Sequence, residues 1–206
     1  MLERARLYFV VEAGAPDALL DAALSGGCDV LQLRDHDASD DELRAAAARF
    51  RDVCDRHDAL FVVNDRPEIA LEAGADGVHV GQDDLPVDAV RRLVGPRTVI
   101  GLSTHSPEQF DAGLASDADY LSVGPVWETP TKAGRQATGL EYVRYAAGVA
   151  RAKPWFAIGG IDESNIDDVV AAGARRVVVV RAIRDAADPG AVASALKSRL
   201  TDVEQS

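Results

Sequence analysis

Four stretches of this chain repeat one pattern. An Ala-rich, helix-like segment ends in a small-residue turn, and a β-branched run follows at once: "SGGCDVLQL", "EAGADGVHV", "ASDADYLSV" and "AAGARRVVV". Each glycine or serine supplies the turn before the next buried strand. Extended along the chain, the pattern predicts strands at Leu7–Val11, Val30–Arg34, Leu60–Asn64, Gly77–Val80, Val99–Leu102, Tyr120–Val123, Trp155–Ile158 and Val177–Val180. These runs are continuously apolar rather than alternating, which suits strands covered on both faces in a parallel sheet.

Between the strands lie segments of helical spacing. In "DELRAAAARFRDVCDRH", Leu43, Ala46, Ala47, Phe50, Val53 and Cys54 form one stripe, and Ser39 or Asp40 offers an N-cap. "PVDAVRRLVG", "SPEQFDAGLA", "LEYVRYAAGVA", "DESNIDDVVAAG" and "PGAVASALKSRL" read as further helices, several opening at Pro, Ser or Asp and closing at Gly. Eight strands alternating with helices through short loops predict an α/β fold, a (β/α)8 TIM barrel of parallel strands. At 206 residues the chain is near the lower end for that fold, so residues 1–206 are expected to form one domain. Its core would run from about residue 6 to 200, with a polar tail over 201–206. A doubly wound open sheet would show fewer strands in this length, and no G-x-G-x-x-G follows the first strand.

Charge and composition narrow the function. The 34 acidic against 22 basic residues give a net charge of −12, which repels nucleic acid and anionic membrane surfaces. The same excess serves solubility, and a local basic site for a small anion is compatible with it. Cys28 and Cys54 have no metal-ligand spacing, and reduced, half-buried thiols of a cytoplasmic protein are expected. The opening "MLERARLYFVV" does not read as a signal peptide, and no apolar run reaches the length of a membrane span.

In a barrel of this kind chemistry sits at the C-terminal strand ends, and there the polar residues gather. Strand 2 ends in "QLRDH", with Gln32 and Arg34 on one face and Leu33 on the other. Strand 3 ends in Asn64 and Asp65, strand 4 runs into Gln82, Asp83 and Asp84, and strand 5 into Ser103 and His105. Arg34 alone would read equally well as a rim ion pair with Asp35 or Asp65. Asp65 and Asp84, on adjacent strand ends, suit a hard cation such as Mg2+, which takes one or two carboxylates and completes its shell with water and phosphate oxygens. The competing reading makes one of Asp83 and Asp84 the N-cap of the helix in "DDLPVDAV". After strand 6, Thr129, Thr131, Lys132 and Arg135 lie among Gly and Pro, as in a phosphate-binding lid or an ordinary surface loop. The Gly159-Gly160 turn after strand 7, with a helix expected near Asp162, and a short extra helix in "RAIRDAAD" match the recurrent phosphate site of the fold. His79, inside strand 4, reads as a satisfied interior histidine, His57 as a helix-end cation, and Trp127 as packing or a wall beside a ring. No Ser-His-Asp or Cys-His set is legible.

Taken together, "QLR", "VND", "ADGVHVGQDD", "GLSTH", "GPVWETPTK" and "IGGI", in this order, resemble the thiamine-phosphate synthase family from about Leu7 to Pro189. The resemblance implies a transferase of thiamine biosynthesis joining an aminopyrimidine methyl diphosphate to a thiazole phosphate, releasing diphosphate, and CO2 when the thiazole carries a carboxylate. It implies Mg2+ as cofactor on Asp65 and Asp84, with Arg34, Ser103 and Lys132 catalytic. Gln32, Arg34, Asn64 and Ser103 match the family's pyrimidine-diphosphate residues, and Leu33, Asp35 and His36 belong to the substrate-binding set beside them. Thr129, Pro130, Thr131, Lys132, Gly159, Val180 and Arg181 complete the substrate-binding set, Lys132 with the pyrimidine diphosphate and Thr129, Thr131, Gly159 and the Val180-Arg181 pair where the thiazole phosphate binds. Two positions depart from the pattern: His36 stands where a lysine is usual and Arg181 where a serine is usual. An imidazole with an unperturbed pKa of about 6.5 makes any grip of His36 on diphosphate pH-dependent. The competing functions are a thiazole tautomerase, with His105 as acid/base, and a non-catalytic barrel that binds thiazole phosphate. The partners expected are small-molecule substrates alone, without nucleic acid or membrane, and a homo-oligomer is compatible with the sequence.

Overall fold

The computed structural model of the chain describes residues 1–128, 136–150 and 153–201. Its strands are β1 (Leu7–Val11), β2 (Val30–Leu33), β3 (Leu60–Asn64), β4 (Gly77–Val80), β5 (Val99–Thr104), β6 (Tyr120–Val123), β7 (Trp155–Ile158) and β8 (Val177–Val179). Each pairs in parallel with its neighbours in chain order, and β8 pairs with β1, so the sheet closes into a barrel. Three ends differ from the sequence reading, β8 stopping at Val179, one residue short of Val180. β2 stops at Leu33, leaving Arg34 just beyond it. β5 runs on to Thr104, because Ser103 and Thr104 pair with Ser122 and Val123 of β6.

Around the barrel lie α1 (Asp17–Ser25), α2 (Asp40–His57), α3 (Pro67–Glu72), α4 (Val87–Val94), α5 (Pro107–Ala115), α6 (Gly139–Val149), α7 (Ile166–Ala171), the short α8 (Arg181–Arg184) and α9 (Pro189–Thr201). Between the two candidate caps of α2, the structure selects Ser39. Its hydroxyl accepts from Glu42 N while Glu42 Oε2 accepts from Ser39 N, a reciprocal capping box. α7 begins at Ile166, later than Asp162, because Asp162 is used in a turn: its carboxylate accepts from the amide and hydroxyl of Ser164.

The strand residues divide between two apolar layers. One alternate set, with Leu31, Leu33, Phe61, Val63 and Leu121 among it, packs outward against the helices. The other fills the barrel with Tyr8, Val10, Val30, Leu60, Val62, Tyr120, Phe156 and Val178. Near the barrel floor Tyr8 and Tyr120 each meet Phe156 edge-on, with ring centroids 5.4 and 5.5 Å apart. Such a packed interior leaves only the mouth open. Cys28 and Cys54 are fully buried rather than half-buried, because they face α-helical neighbours in the outer layer.

The repeat in the sequence has a structural counterpart at the floor. The residue before β2, β4 and β6 is Asp29, Asp76 or Asp119, and each carboxylate accepts from a backbone amide of the preceding odd strand. Asp29 takes Leu7 N at 2.9 Å, Asp76 takes Phe61 N at 2.8 Å and Asp119 takes Ile100 N at 2.7 Å. Each is also paired to a cation from the helix that leads into that odd strand, going round the barrel: Lys197 of α9, Arg51 of α2 and Arg91 of α4. At the fourth equivalent place, before β8, the residue is Arg176 and the device is not repeated.

Candidate active site at the barrel mouth

A cavity of about 270 Å³ opens at the C-terminal strand ends. Gln32, Arg34, Asn64, His79, Ser103 and His105 form one side, and Ile158, Gly159, Gly160, Val180 and Arg181 the other. Gln32 and Ser103 are each 4% exposed, so their side chains are committed to the interior and the cavity.

Arg34 is anchored where the strand ends, its amide donating to Val11 O at 3.0 Å. Burial lowers its guanidinium from the ordinary value, and the carboxylates of Asp65, Glu12 and Asp84 oppose that shift. The cation is thus held half-buried among anions at the mouth. The two residues that follow behave differently. Asp35 folds the loop: Oδ2 accepts from Ala13 N at 3.2 Å and Oδ1 from Asp37 N at 3.1 Å and Ala38 N at 3.3 Å. His36 is exposed on that loop. Leu33, which the sequence reading placed in the substrate-binding set, has its side chain fully buried in the helix-facing layer. Strand alternation sends it away from the cavity that Gln32 and Arg34 line.

Asp65 leaves β3 with φ of 57°, a left-handed conformation rare for a residue with a side chain. The turn is secured by its amide donating to His79 O at 2.9 Å, and Asn64 Nδ2 donates to Asp65 Oδ2 at 2.5 Å. Its carboxyl meets that of Asp84. Burial, then the Asp84 charge and the hydrogen bond between the two, push the Asp65 pKa up to about 6, against the pull of Arg34 and Asn64. The N-cap reading of Asp83 or Asp84 is not borne out. α4 starts at Val87 after Pro86 with no side-chain cap, and Asp84 Oδ2 instead accepts from Gly81 N at 2.8 Å, closing the turn after β4. Two crowded carboxylates beside a neutral amide are a donor set that fits a hard divalent cation. Among the described residues no group of three or more His, Cys, Asp or Glu converges.

The opposite wall depends on close backbone approach. Gly159 and Gly160 have φ of 110° and 68°, and a Cβ on Gly159 would lie 2.6 Å from Pro125 Cα. Glycine there lets the β7 end pair with the start of the β6 loop, Val126 N on Ile158 O at 2.9 Å and Trp127 N on Gly159 O at 3.1 Å. Trp127 packs against the outer apolar layer. The loop returns through Thr138, whose hydroxyl donates to Pro125 O at 2.9 Å. Thr129, Pro130, Thr131, Lys132 and Arg135 lie outside the described residues. Val180 precedes α8, and Arg181, its first residue, is exposed at the rim of the same cavity.

His79 is an interior histidine with both ring nitrogens engaged, as the sequence suggested: Nδ1 with Tyr120 Oη at 3.0 Å and Nε2 with Ser103 Oγ at 2.9 Å. His57, at the end of α2, pairs with Asp21 at 2.9 Å. His105 Nδ1 lies 2.6 Å from Gly124 O. Sequence reasoning missed Tyr8, Tyr120 and Glu12. A signal existed for the tyrosines, since a hydroxyl inside a strand buried on both faces must find a partner.

Residues 7–183 match the model of the thiamine monophosphate synthase family, TMP-TENI. The thiamine-phosphate synthase of Acidothermus cellulolyticus is 52% identical over 204 residues, covering 97% of this chain and 96% of that one. That of Mycobacterium ulcerans is 51% identical with the same coverage. The solved thiamine phosphate pyrophosphorylase from Pyrococcus furiosus superposes with a TM-score of 0.89 at 29% identity, covering 98% of both chains. A 3-hexulose-6-phosphate synthase from Salmonella typhimurium, at 16% identity and a TM-score of 0.71, shares the fold alone. With a matching family model over most of its length and half-identical relatives end to end, this TIM-barrel enzyme belongs to the thiamine monophosphate synthase family.

Proposed function

We propose that the mouth joins 4-amino-2-methyl-5-(diphosphooxymethyl)pyrimidine to a thiazole ethyl phosphate, giving thiamine phosphate and diphosphate. The observation that carries this reading is convergence: Gln32, Arg34, Asn64 and Ser103 line one cavity, and the Asp65–Asp84 pair stands next to Arg34.

The reaction breaks the bond between the pyrimidine methylene and the diphosphate oxygen, and forms one between that methylene and the thiazole nitrogen. An electron-rich aminopyrimidine stabilises the methylene as a cation, so the barrier lies largely in charge separation. Arg34 is placed to receive the negative charge growing on the leaving group, and the same role falls to Lys132. Preorganised charge of this kind is usually the largest catalytic contribution. Gln32, Asn64 and Ser103 orient the pyrimidine and its diphosphate. The Gly159–Gly160 turn and Arg181 face the thiazole phosphate or, when present, its carboxylate, which leaves as CO2. Asp65 and Asp84 are the residues to hold Mg2+, which supplies Lewis-acid stabilisation of the diphosphate when bound. No protein nucleophile is required.

The test is turnover of the two substrates by the purified protein, with Mg2+ and then with chelator, product being read by mass. Thiamine phosphate formed only with metal is expected. Absence of product from folded protein that still binds the thiazole phosphate would refute the synthase reading.

A further inference from the structure

Inside the barrel one hydrogen-bonded chain runs beneath the mouth from the end of β2 to the end of β5. Gln32 Nε2 donates to Tyr8 Oη at 2.6 Å, Tyr8 Oη lies 2.8 Å from Tyr120 Oη, Tyr120 Oη lies 3.0 Å from His79 Nδ1, and His79 Nε2 lies 2.9 Å from Ser103 Oγ. The chain crosses β2, β1, β6, β4 and β5. Its two ends, Gln32 and Ser103, line the cavity, while Tyr8 and Tyr120 are sealed from solvent at 1% exposure each. Burial raises both tyrosine pKa values, so each hydroxyl remains a donor with one proton to place.

Counting protons fixes the direction. Tyr8 accepts from Gln32, so its own proton must go to Tyr120, its remaining partner in the chain. Tyr120 then gives its proton to His79 Nδ1. The imidazole therefore carries its hydrogen on Nε2 and donates to Ser103, whose proton is left to point into the cavity. At the other end, Gln32 has turned its amide nitrogen inward, which leaves Oε1 for the cavity. With Gln32 as the donor to Tyr8, reversal at either tyrosine link would strand a buried hydroxyl proton without an acceptor, and reversal at Ser103 would leave the imidazole without a hydrogen, so the chain runs one way from Gln32 to Ser103.

We propose that Tyr8, Tyr120 and His79 are positioning residues, a buried relay that presents Gln32 to the mouth as an acceptor and Ser103 as a donor. Such a pair recognises a ring that offers an amino group to β2 and an unprotonated ring nitrogen to β5. It disfavours the oxo analogue, whose polarity is reversed. The substrate side of this inference rests on the synthase reading. The tautomer does not, because it is a property of the free protein.

The first measurement is therefore 15N NMR of the imidazole nitrogens in the free protein, with His79→Gln identifying the signals. The expected result is a pyrrole-type nitrogen at Nε2 and a pyridine-type nitrogen at Nδ1. A hydrogen on Nδ1 would overturn the assignment. The second uses Tyr120→Phe, which keeps the ring and removes the donor to Nδ1. Its His79 should populate both tautomers. KM for the aminopyrimidine diphosphate should rise roughly tenfold, the worth of one hydrogen bond, while kcat and KM for the thiazole phosphate move less than about threefold. A folded variant with unchanged tautomer and unchanged KM would refute the relay. Lack of turnover in the wild type would count against the synthase reading alone.

Discussion

Gly101 shows how a residue without a side chain can decide a site. It stands in β5 opposite His79 of β4 and Tyr120 of β6. A Cβ there would lie 2.2 Å from Tyr120 Cζ and 2.4 Å from His79 Nδ1, inside the hydrogen bond that joins them. Gly101→Ala is expected to cost about 2 kcal/mol from overpacking, a drop of roughly 4–8 °C in Tm, and to separate His79 from Tyr120. Thermal melts and the His79 15N spectrum check both. Asp84 argues the opposite case, a residue that costs stability. Asp65 and Asp84 repel in the metal-free protein, where burial and this repulsion hold Asp65 near a pKa of about 6. Asp84→Asn keeps an oxygen for Gly81 N and removes the repulsion. It should raise metal-free stability by about 1 kcal/mol, allowing for solvent screening; if the pair holds Mg2+ as proposed, the metal should raise Tm of the wild type in thermal melts and leave that of Asp84→Asn unchanged. Most of this site was legible as polar strand ends, because strand alternation decides which side chains enter the mouth. It was not legible that Asp35 is spent on loop amides, that Leu33 is buried against the helices between two residues, Gln32 and Arg34, that line the cavity, or that Asp84 closes a turn. Those depend on backbone partners distant in sequence.

At the scale of the element, the strands were readable and their bracing was not. Continuous runs such as "LYFVV" and "LFVVN" announce strands covered on both faces, and all eight are present. The repeat implies a helix before β2 and another before β4, but not the extent of α1 and α3; α3 has six residues, too few to show a helical period. The aspartate preceding β2, β4 and β6 was visible as part of the repeat, but its role required the neighbouring strand's amide and a helix cation to be seen together. Asp76 joins Phe61 N at 2.8 Å and Arg51 Nη1 at 2.7 Å on one oxygen. Asp76→Ala leaves a half-buried guanidinium and a strand amide without that acceptor. Hydrogen bonds to charged groups contribute about 1.5–3 kcal/mol, so a loss of about 2 kcal/mol is expected in chemical denaturation. Asp76→Asn, which retains an oxygen, should lose less. Equal losses in the two variants would mean that the charge on Arg51, and not the amide, is what Asp76 serves.

For the whole molecule, burial of ionisable groups sets an alkaline limit. Of the four tyrosines, Tyr8, Tyr120 and Tyr142 are buried, and Tyr145 is partly open. Burial raises the first two, and pushes Tyr142 up to about 12; it also raises Cys28 and pushes Cys54 up to about 12. In each case the folded pKa lies above the unfolded one. The stability it contributes is whole below the unfolded pKa, near 10 for tyrosine, and is lost as pH rises toward the folded value. Between those two values each such group removes about 1.4 kcal/mol per pH unit. Three tyrosines together remove about 4 kcal/mol per unit, and the thiols begin to contribute sooner. Against a typical stability of about 5–15 kcal/mol, the barrel is expected to unfold cooperatively within about two units above pH 10. A titration followed by both tyrosinate absorbance and circular dichroism checks this. The three buried tyrosines should ionise in step with loss of the dichroism. Ionisation of all four near pH 10 with the dichroism intact would mean that the barrel interior opens to hydroxide without unfolding, and the sealed relay between Gln32 and Ser103 could not then exist.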